Sequence, residues 1–304
     1  MAHLTTRRDM FRVAAAGLAA SRFAFSQNAP APLTVTKLSS SVSVVMGNGG
    51  NIAVVPGDDS VLIVDAGLPD RANDLLATIS DKVSAKPITT LFNTHWHFDH
   101  TGANVLLGGK GTRIISHENT RARLSAKITM EALNRTFEPM AAPGLPVVTF
   151  SDGGSIYQGA EVLNYTHVAA AHTDTDAYVL FPKSNILHTG DLFFNGFYPV
   201  IDYSTNGWVG GMAAAADKML TVVDNSTKII PGHGPIADKA ALKAYRDMLT
   251  TVTERLTKLS KQKMPVEKVV ASAPTKDLDA KWGGGMFKPD AWVAIAYTSI
   301  LRHA

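Results

Sequence analysis

The sequence predicts an α/β protein in which sheets are flanked by helices. Short apolar, β-branched runs come in pairs followed by segments of helical apolar spacing, and this strand, strand, helix order occurs twice along the chain. The chain has 304 residues and 45% hydrophobic content, enough to bury one large core or two smaller ones. No internal repeat at solenoid spacing points to another architecture.

The N-terminus reads as an export signal. Arg7 and Arg8 form a pair, Val13 to Ala20 is a short Ala-rich apolar segment, and Ala24 and Ser26 are small residues at the two positions a signal peptidase inspects. The apolar run is too short to span a bilayer, so no stable membrane insertion is expected. Paired arginines beside weak hydrophobicity resemble a twin-arginine signal. Residues 1–26 are therefore expected to be removed and residues 27–34 to act as a linker. The expected location is the bacterial periplasm or outside the cell.

From Leu33 to Val45, alternating Thr, Val and Ser predict edge strands, followed by a turn at Gly47 to Asn51. Ile52 to Val55 and Ser60 to Asp65 read as a hairpin around Gly57, and Arg71 to Val83 as an amphipathic helix. Pro87 to Phe92 is a buried strand, and a short helix starts at Gly102. Thr112 to Ser116 reads as a strand and His117 to Ala126 as a helix, with His117 in a local hydrogen-bonding or capping role. Thr129 to Pro146 is the least patterned stretch.

A β pattern resumes at Val147 to Phe150, around Ile156 and at Val162 to Tyr165, with Asp152 to Gly154 as a turn. Ala177 to Pro182 and Asn185 to His188 predict a second hairpin. Trp208 to Asp224 is helical, Lys228 to Ile230 a strand, and Ala237 to Lys261 a long helix. The main domain is thus expected over residues 35–262, and residues 263–304 form a helical extension with two short helices around Trp282. That tail either covers the core or pairs with a second copy, so a homo-oligomer stays open.

Charge narrows the partners. Residues 1–26 hold four of the 29 basic residues and one of the 26 acidic ones, which is the whole formal net charge of +3. The rest is balanced, and a nucleic-acid partner, which needs a basic face, is not expected. There is no cysteine, so disulfides and thiolate chemistry are excluded.

The chemistry concentrates at Asn93-Thr94-His95-Trp96-His97-Phe98-Asp99-His100. Strand alternation is expected to send His95 and His97 to one side, with Asp99 and His100 beyond, at the turn. Three imidazoles and a carboxylate on one connection would repel and stay unsatisfied without a metal, and nitrogen with oxygen donors suits zinc, iron or manganese.

His95-x-His97-x-Asp99-His100 resembles the H-x-H-x-D-H motif of the metallo-β-lactamase fold superfamily. Further matches follow in order: His172 before Thr173, Asp191 in Thr189-Gly190-Asp191, and His233 in Pro231-Gly232-His233-Gly234-Pro235. The resemblance covers roughly residues 35–260. It implies a four-layer αβ/βα sandwich with a metal site at one edge of two sheets. It further implies two zinc ions, with iron or manganese as alternatives. His95, His97 and His172 would hold the first, Asp99, His100 and His233 the second, and Asp191 would bridge them. Asp99 would also orient the nucleophile or pass a proton to the leaving group. Asp65 matches a family aspartate and is read as orienting the turn that carries His95 to His100, although a plain strand-ending aspartate fits the sequence equally well.

The implied activity is hydrolysis of a small-molecule carbonyl bond by metal-activated hydroxide. Amides, lactones and esters come within it, β-lactams included. The lactamase branch with three histidines on its first zinc uses a cysteine on its second, where this chain has Asp191, and the lysine that grips the β-lactam carboxylate is not evident after Asp191. A thioester or sulfur-compound hydrolase of the glyoxalase II type is one alternative, and a non-catalytic periplasmic metal-binding protein is another. The run Phe193, Phe194, Phe197, Tyr198 reads as core packing, with a substrate wall as the other option.

Overall fold

The paired apolar runs become two facing sheets. The computed structural model describes residues 32–303, so the expected signal at 1–26 and most of the linker lie outside the described residues. Among the described residues the strands are, in chain order, β1 (Thr34–Lys37), β2 (Ser43–Met46), β3 (Ile52–Pro56), β4 (Val61–Val64), β5 (Ile88–Phe92), β6 (Arg113–His117) and β7 (Ile128–Met130). They continue with β8 (Arg135–Phe137), β9 (Val148–Phe150), β10 (Gly153–Gln158), β11 (Glu161–His167), β12 (Ala177–Phe181), β13 (Ile186–His188) and β14 (Lys228–Ile230). The helices are α1 (Ala72–Lys82), α2 (Asn104–Gly109), α3 (Glu118–Leu124), α4 (Val209–Leu220), α5 (Lys239–Lys261), α6 (Val266–Ala271), α7 (Asp279–Trp282) and α8 (Pro289–His303).

One sheet has seven strands in the order β1-β2-β3-β4-β5-β6-β9, and the other has five, β10-β11-β12-β13-β14. The first four strands of the larger sheet pair antiparallel, and β4, β5, β6 and β9 run parallel. In the smaller sheet only β13 and β14 are parallel, joined through α4.

Alternation along the central strands shows why the sequence stacks in four layers. Val44, Ala53, Val55, Leu62 and Val64 face inward and bury against Val179, Phe181, Ile186 and Ile230 of the opposing sheet. Their neighbours Val45, Ile52, Val54, Val61 and Ile63 point the other way, onto Leu75 and Ile79 of α1 and Leu107 of α2. Beyond the smaller sheet, Leu187 and Ile229 pack under Met212 of α4, Leu242 and Leu249 of α5 and Trp292 of α8. The result is helix, sheet, sheet, helix.

Three expectations need correction. The stretch 129–146 contains a small hairpin, β7 with β8, whose three-residue strands are too short to show a period. Gly153 and Gly154 lie inside β10 rather than in a turn, because a side chain at Gly153 would strike the Tyr165 carbonyl across the ladder. The tail holds one helix of 15 residues, α8, beside the short α6 and α7. It starts at Pro289, a residue suited to a first helical turn, and buries Trp292, Val293, Ala296 and Ile300 in the core beneath the smaller sheet. No helix among the described residues is long and apolar enough to cross a membrane.

Candidate metal centre

Strand ends from both sheets meet at one edge. Asp65 follows β4, the turn 93–101 follows β5, and the loops carrying His172, Asp191 and His233 follow β11, β13 and β14. The turn is not the extended strand end that alternation predicted, because β5 stops at Phe92. Side chains fold it instead. Asp65 accepts from the Thr94 amide and hydroxyl (both 2.8 Å), Thr101 donates to the His97 carbonyl at 3.0 Å, and Asn93 donates to the His100 carbonyl at 3.2 Å. His95 and His97 still converge, but by turn geometry.

All seven residues expected as ligands come together in two groups: His95, His97, His172 and Asp191 in one, Asp99, His100 and His233 in the other. Within each group the donor atoms lie within 4.8 Å of one another. The Asp191 carboxylate spans both. Its Oδ2 lies 3.4 Å from His172 Nε2 and 3.7 Å from His95 Nε2, while its Oδ1 lies 3.1 Å from His100 Nε2 and 3.3 Å from His233 Nε2.

Each buried imidazole is held by its far nitrogen, which fixes the tautomer. His95 Nδ1 donates to Thr94 Oγ1 at 3.0 Å, a hydroxyl already committed to Asp65. His97 Nε2 donates to Asp202 at 3.2 Å, His172 Nδ1 to the Val200 carbonyl at 2.8 Å, and His100 Nδ1 to Asp65 at 2.8 Å. The inward nitrogens of His95, His97 and His172 are therefore lone pairs, and two of them, His172 Nε2 and His97 Nδ1, stand only 2.8 Å apart. His95 Nε2 and Asp191 Oδ1 are buried with no hydrogen-bond partner. A cation at each group satisfies these atoms, so the donor set fits metal.

Electrostatics agree. Burial, then the neighbouring imidazoles His97 and His100, push His172 down to about 4 and His95 well below its usual value, leaving both neutral. In the other group burial is outweighed by carboxylates. Asp191 and Asp99 lift His233 to about 9, and Asp191 with Asp65 raises His100. Burial raises Asp99 as well, but His100 and His233 pull it to about 2. The carboxylates here call for positive charge.

The local backbone serves this packing. Asp65 adopts φ 67° and Gly190, beside Asp191, φ 50°, both in the left-handed region. A side chain at Gly190 would run into Thr94, and one at Gly50 would overlap the His100 ring.

Asp65 orients His100 and the turn, as read from the sequence. Sequence reasoning missed Asp202, which no motif surrounds, and Asn51. The Asn51 side chain donates to the Pro231 and Gly234 carbonyls (both 2.9 Å) and holds the His233 loop. His188, at the end of β13, accepts from the Gly190 amide at 3.2 Å and steadies the turn before Asp191. His117 caps α3 by accepting from the Asn119 amide at 3.1 Å.

The family model of the metallo-β-lactamase superfamily matches residues 45–243. The chain belongs to that superfamily. It is an enzyme, a metal-dependent hydrolase of metallo-β-lactamase type, which displaces the reading as a non-catalytic metal-binding protein. Among curated relatives, the type 2 metallo-β-lactamase of Bacillus sp. (strain 170) is 24% identical over 189 residues, 62% of this chain and 68% of that protein. An acyl-coenzyme A thioesterase of Gallus gallus is 25% identical over 209 residues, 62% of this chain and 73% of that protein. Among solved structures, a metallo-β-lactamase from Pontibacter korlensis superposes with TM-score 0.58 at 20% identity, covering 72% of this chain and 99% of its own. The DIM-1 metallo-β-lactamase gives TM-score 0.58 at 21% identity, covering 73% and 98%. At such identities these structures support the superfamily's sandwich fold.

Proposed function

We propose that the protein is a dinuclear zinc hydrolase that opens a carbonyl bond in a small amide, lactone or ester. The observation that carries this reading is Asp191, whose two oxygens address two different groups of ligand nitrogens. His95, His97 and His172 would hold one ion, Asp99, His100 and His233 the other, and Asp191 both. Zinc ions so held supply an acidified water and polarise the substrate carbonyl.

The protein's own part is positioning and proton handling. Asp65, Asp202, Thr94 and the Val200 carbonyl keep four imidazoles in one tautomer each, so no reorganisation is needed during turnover. Asp99 is partly exposed and lies 3.2 Å from His233 Nε2, at the mouth of the site. From there it would orient the attacking water or pass a proton to the leaving group. The similarity to an acyl-coenzyme A thioesterase favours a thioester carbonyl as the second reading.

We read residues 1–26 as a twin-arginine-type signal that delivers the folded, metal-loaded protein to the periplasm or beyond. Residues 35–262 form the catalytic domain, and residues 263–304 extend it. The test is metal content of protein purified from the periplasm, together with hydrolysis of nitrocefin, lactones and thioesters before and after chelation. Near two zinc per chain with chelator-sensitive turnover is expected. Iron, or a single metal, overturns the dinuclear zinc mechanism.

A further inference from the structure

A cavity of about 70 Å³ opens directly onto His97, Asp99, Asp191 and His233. Its remaining wall is largely apolar and includes Phe98, Met130, Leu133, Phe194, Phe197 and Met286. These come from four separate parts of the chain, namely the turn after β5, the β7–β8 hairpin, the loop after β13, and the tail between α7 and α8. Phe194 lies flat against His233, with ring centroids 5.2 Å apart, and meets Phe197 edge-on at 5.8 Å. Gly285 packs so tightly on Phe197 that a side chain there would clash, which brings Met286 to the rim.

Among the described residues no lysine or arginine lines this cavity. Two cations near it are committed elsewhere. Arg135 sits over the rings of Phe98 and Phe137, at 4.3 and 4.8 Å, and Arg123 is paired with Asp174. A substrate carboxylate placed along this wall would lose water and meet no lysine or arginine. An uncharged hydrocarbon group would bury favourably against it.

We propose that the substrate group flanking the scissile carbonyl is neutral and apolar, an alkyl or aryl chain, and that Phe197 with Met130, Leu133 and Met286 selects it. The assignment of a scissile carbonyl rests on the hydrolase reading above; the cavity's preference for apolar groups does not.

The experiment therefore has two arms, both on full-length zinc-loaded protein. In the first, titration calorimetry with 1-hexanol, a neutral probe that undergoes no hydrolysis, is run on wild type and on Phe197→Lys. Binding with a negative heat-capacity change is expected, weakened at least tenfold in the variant. In the second, kcat/KM is compared for neutral aryl esters with acyl chains of two to eight carbons and for nitrocefin, which carries a carboxylate. The neutral esters are expected to exceed nitrocefin at least 100-fold and to rise with chain length, and Phe197→Lys is expected to narrow that ratio at least tenfold. No hexanol binding, or a preference for nitrocefin, overturns the inference and leaves the hydrolase reading standing. Hexanol binding as expected, with no chelator-sensitive turnover of any compound, overturns the hydrolase reading and keeps the apolar selectivity of the cavity.

Discussion

Histidines gather at two places in this molecule, and the difference between them shows what makes a ligand. His117 and His167 stack face to face with centroids 3.7 Å apart and planes 12° from parallel. His117 accepts from the Asn119 amide and donates to the Ser151 carbonyl, while His167 donates to the Asp176 carbonyl. Their nitrogens point outward, to backbone. At the metal centre the far nitrogens also meet protein groups, but the near ones converge on each other and on Asp191. Burial lowers His117 and His167 just as it lowers His95 and His172. Depressed basicity therefore does not mark a ligand, whereas converging lone pairs do.

The largest effect that should separate the two places is at Asp191. Asp191→Asn leaves the fold intact but removes the shared anion, and turnover should fall at least about 1000-fold with metal content dropping toward one per chain. Unchanged turnover would sink the dinuclear mechanism.

Chelation should come next in size. His95, His97 and His172 are buried, whereas Asp99 and His233 are partly exposed, with side chains 18% and 22% accessible. Metal should leave in two steps as chelator rises, with activity lost in the first. A single concerted release would show that the two halves are not independent.

Asp202→Ala is expected to weaken metal affinity about 10- to 100-fold, because His97 loses the partner that fixes its ring. Competition with a chromogenic chelator measures it. An unaltered affinity would mean packing against Trp96 alone orients His97.

The smallest effect belongs to the stacked pair. Folded His117 and His167 bind protons less readily than in the unfolded chain, so as pH falls below about 6.5 the unfolded state gains protons first and stability is lost. The melting temperature should drop between pH 7 and 5. Replacing both with Gln should flatten that slope and leave metal content unchanged. A change in metal content would show that the stack is coupled to the centre.

The fold was legible in the sequence wherever strands are buried on both faces, as in Ile52 to Val55 or Val61 to Val64, because continuous β-branched runs leave few alternatives. It was illegible where strands are three residues long, as in β7 and β8, and where the hydrophobic partner of a helix lies far along the chain, as with α8 beneath the smaller sheet. The seven candidate ligands could be read because their spacing matched a known pattern. Asp202 could not be read, since its role depends on a contact with His97 across 105 residues. The cavity wall was half legible: Phe193 is core, packed on Tyr245, while Phe194 and Phe197 line the opening.

The candidate ligands are shared between the two sheets: Asp99, His95, His97 and His100 come from the first, and His172, Asp191 and His233 from the second. Neither half of the chain carries a complete set. A metal ion held by either group would therefore fasten one sheet to the other along their common edge, and its retention would certify that both have been built and brought into register. Occupancy of this centre would serve as the molecule's own proof of assembly, readable before any substrate arrives.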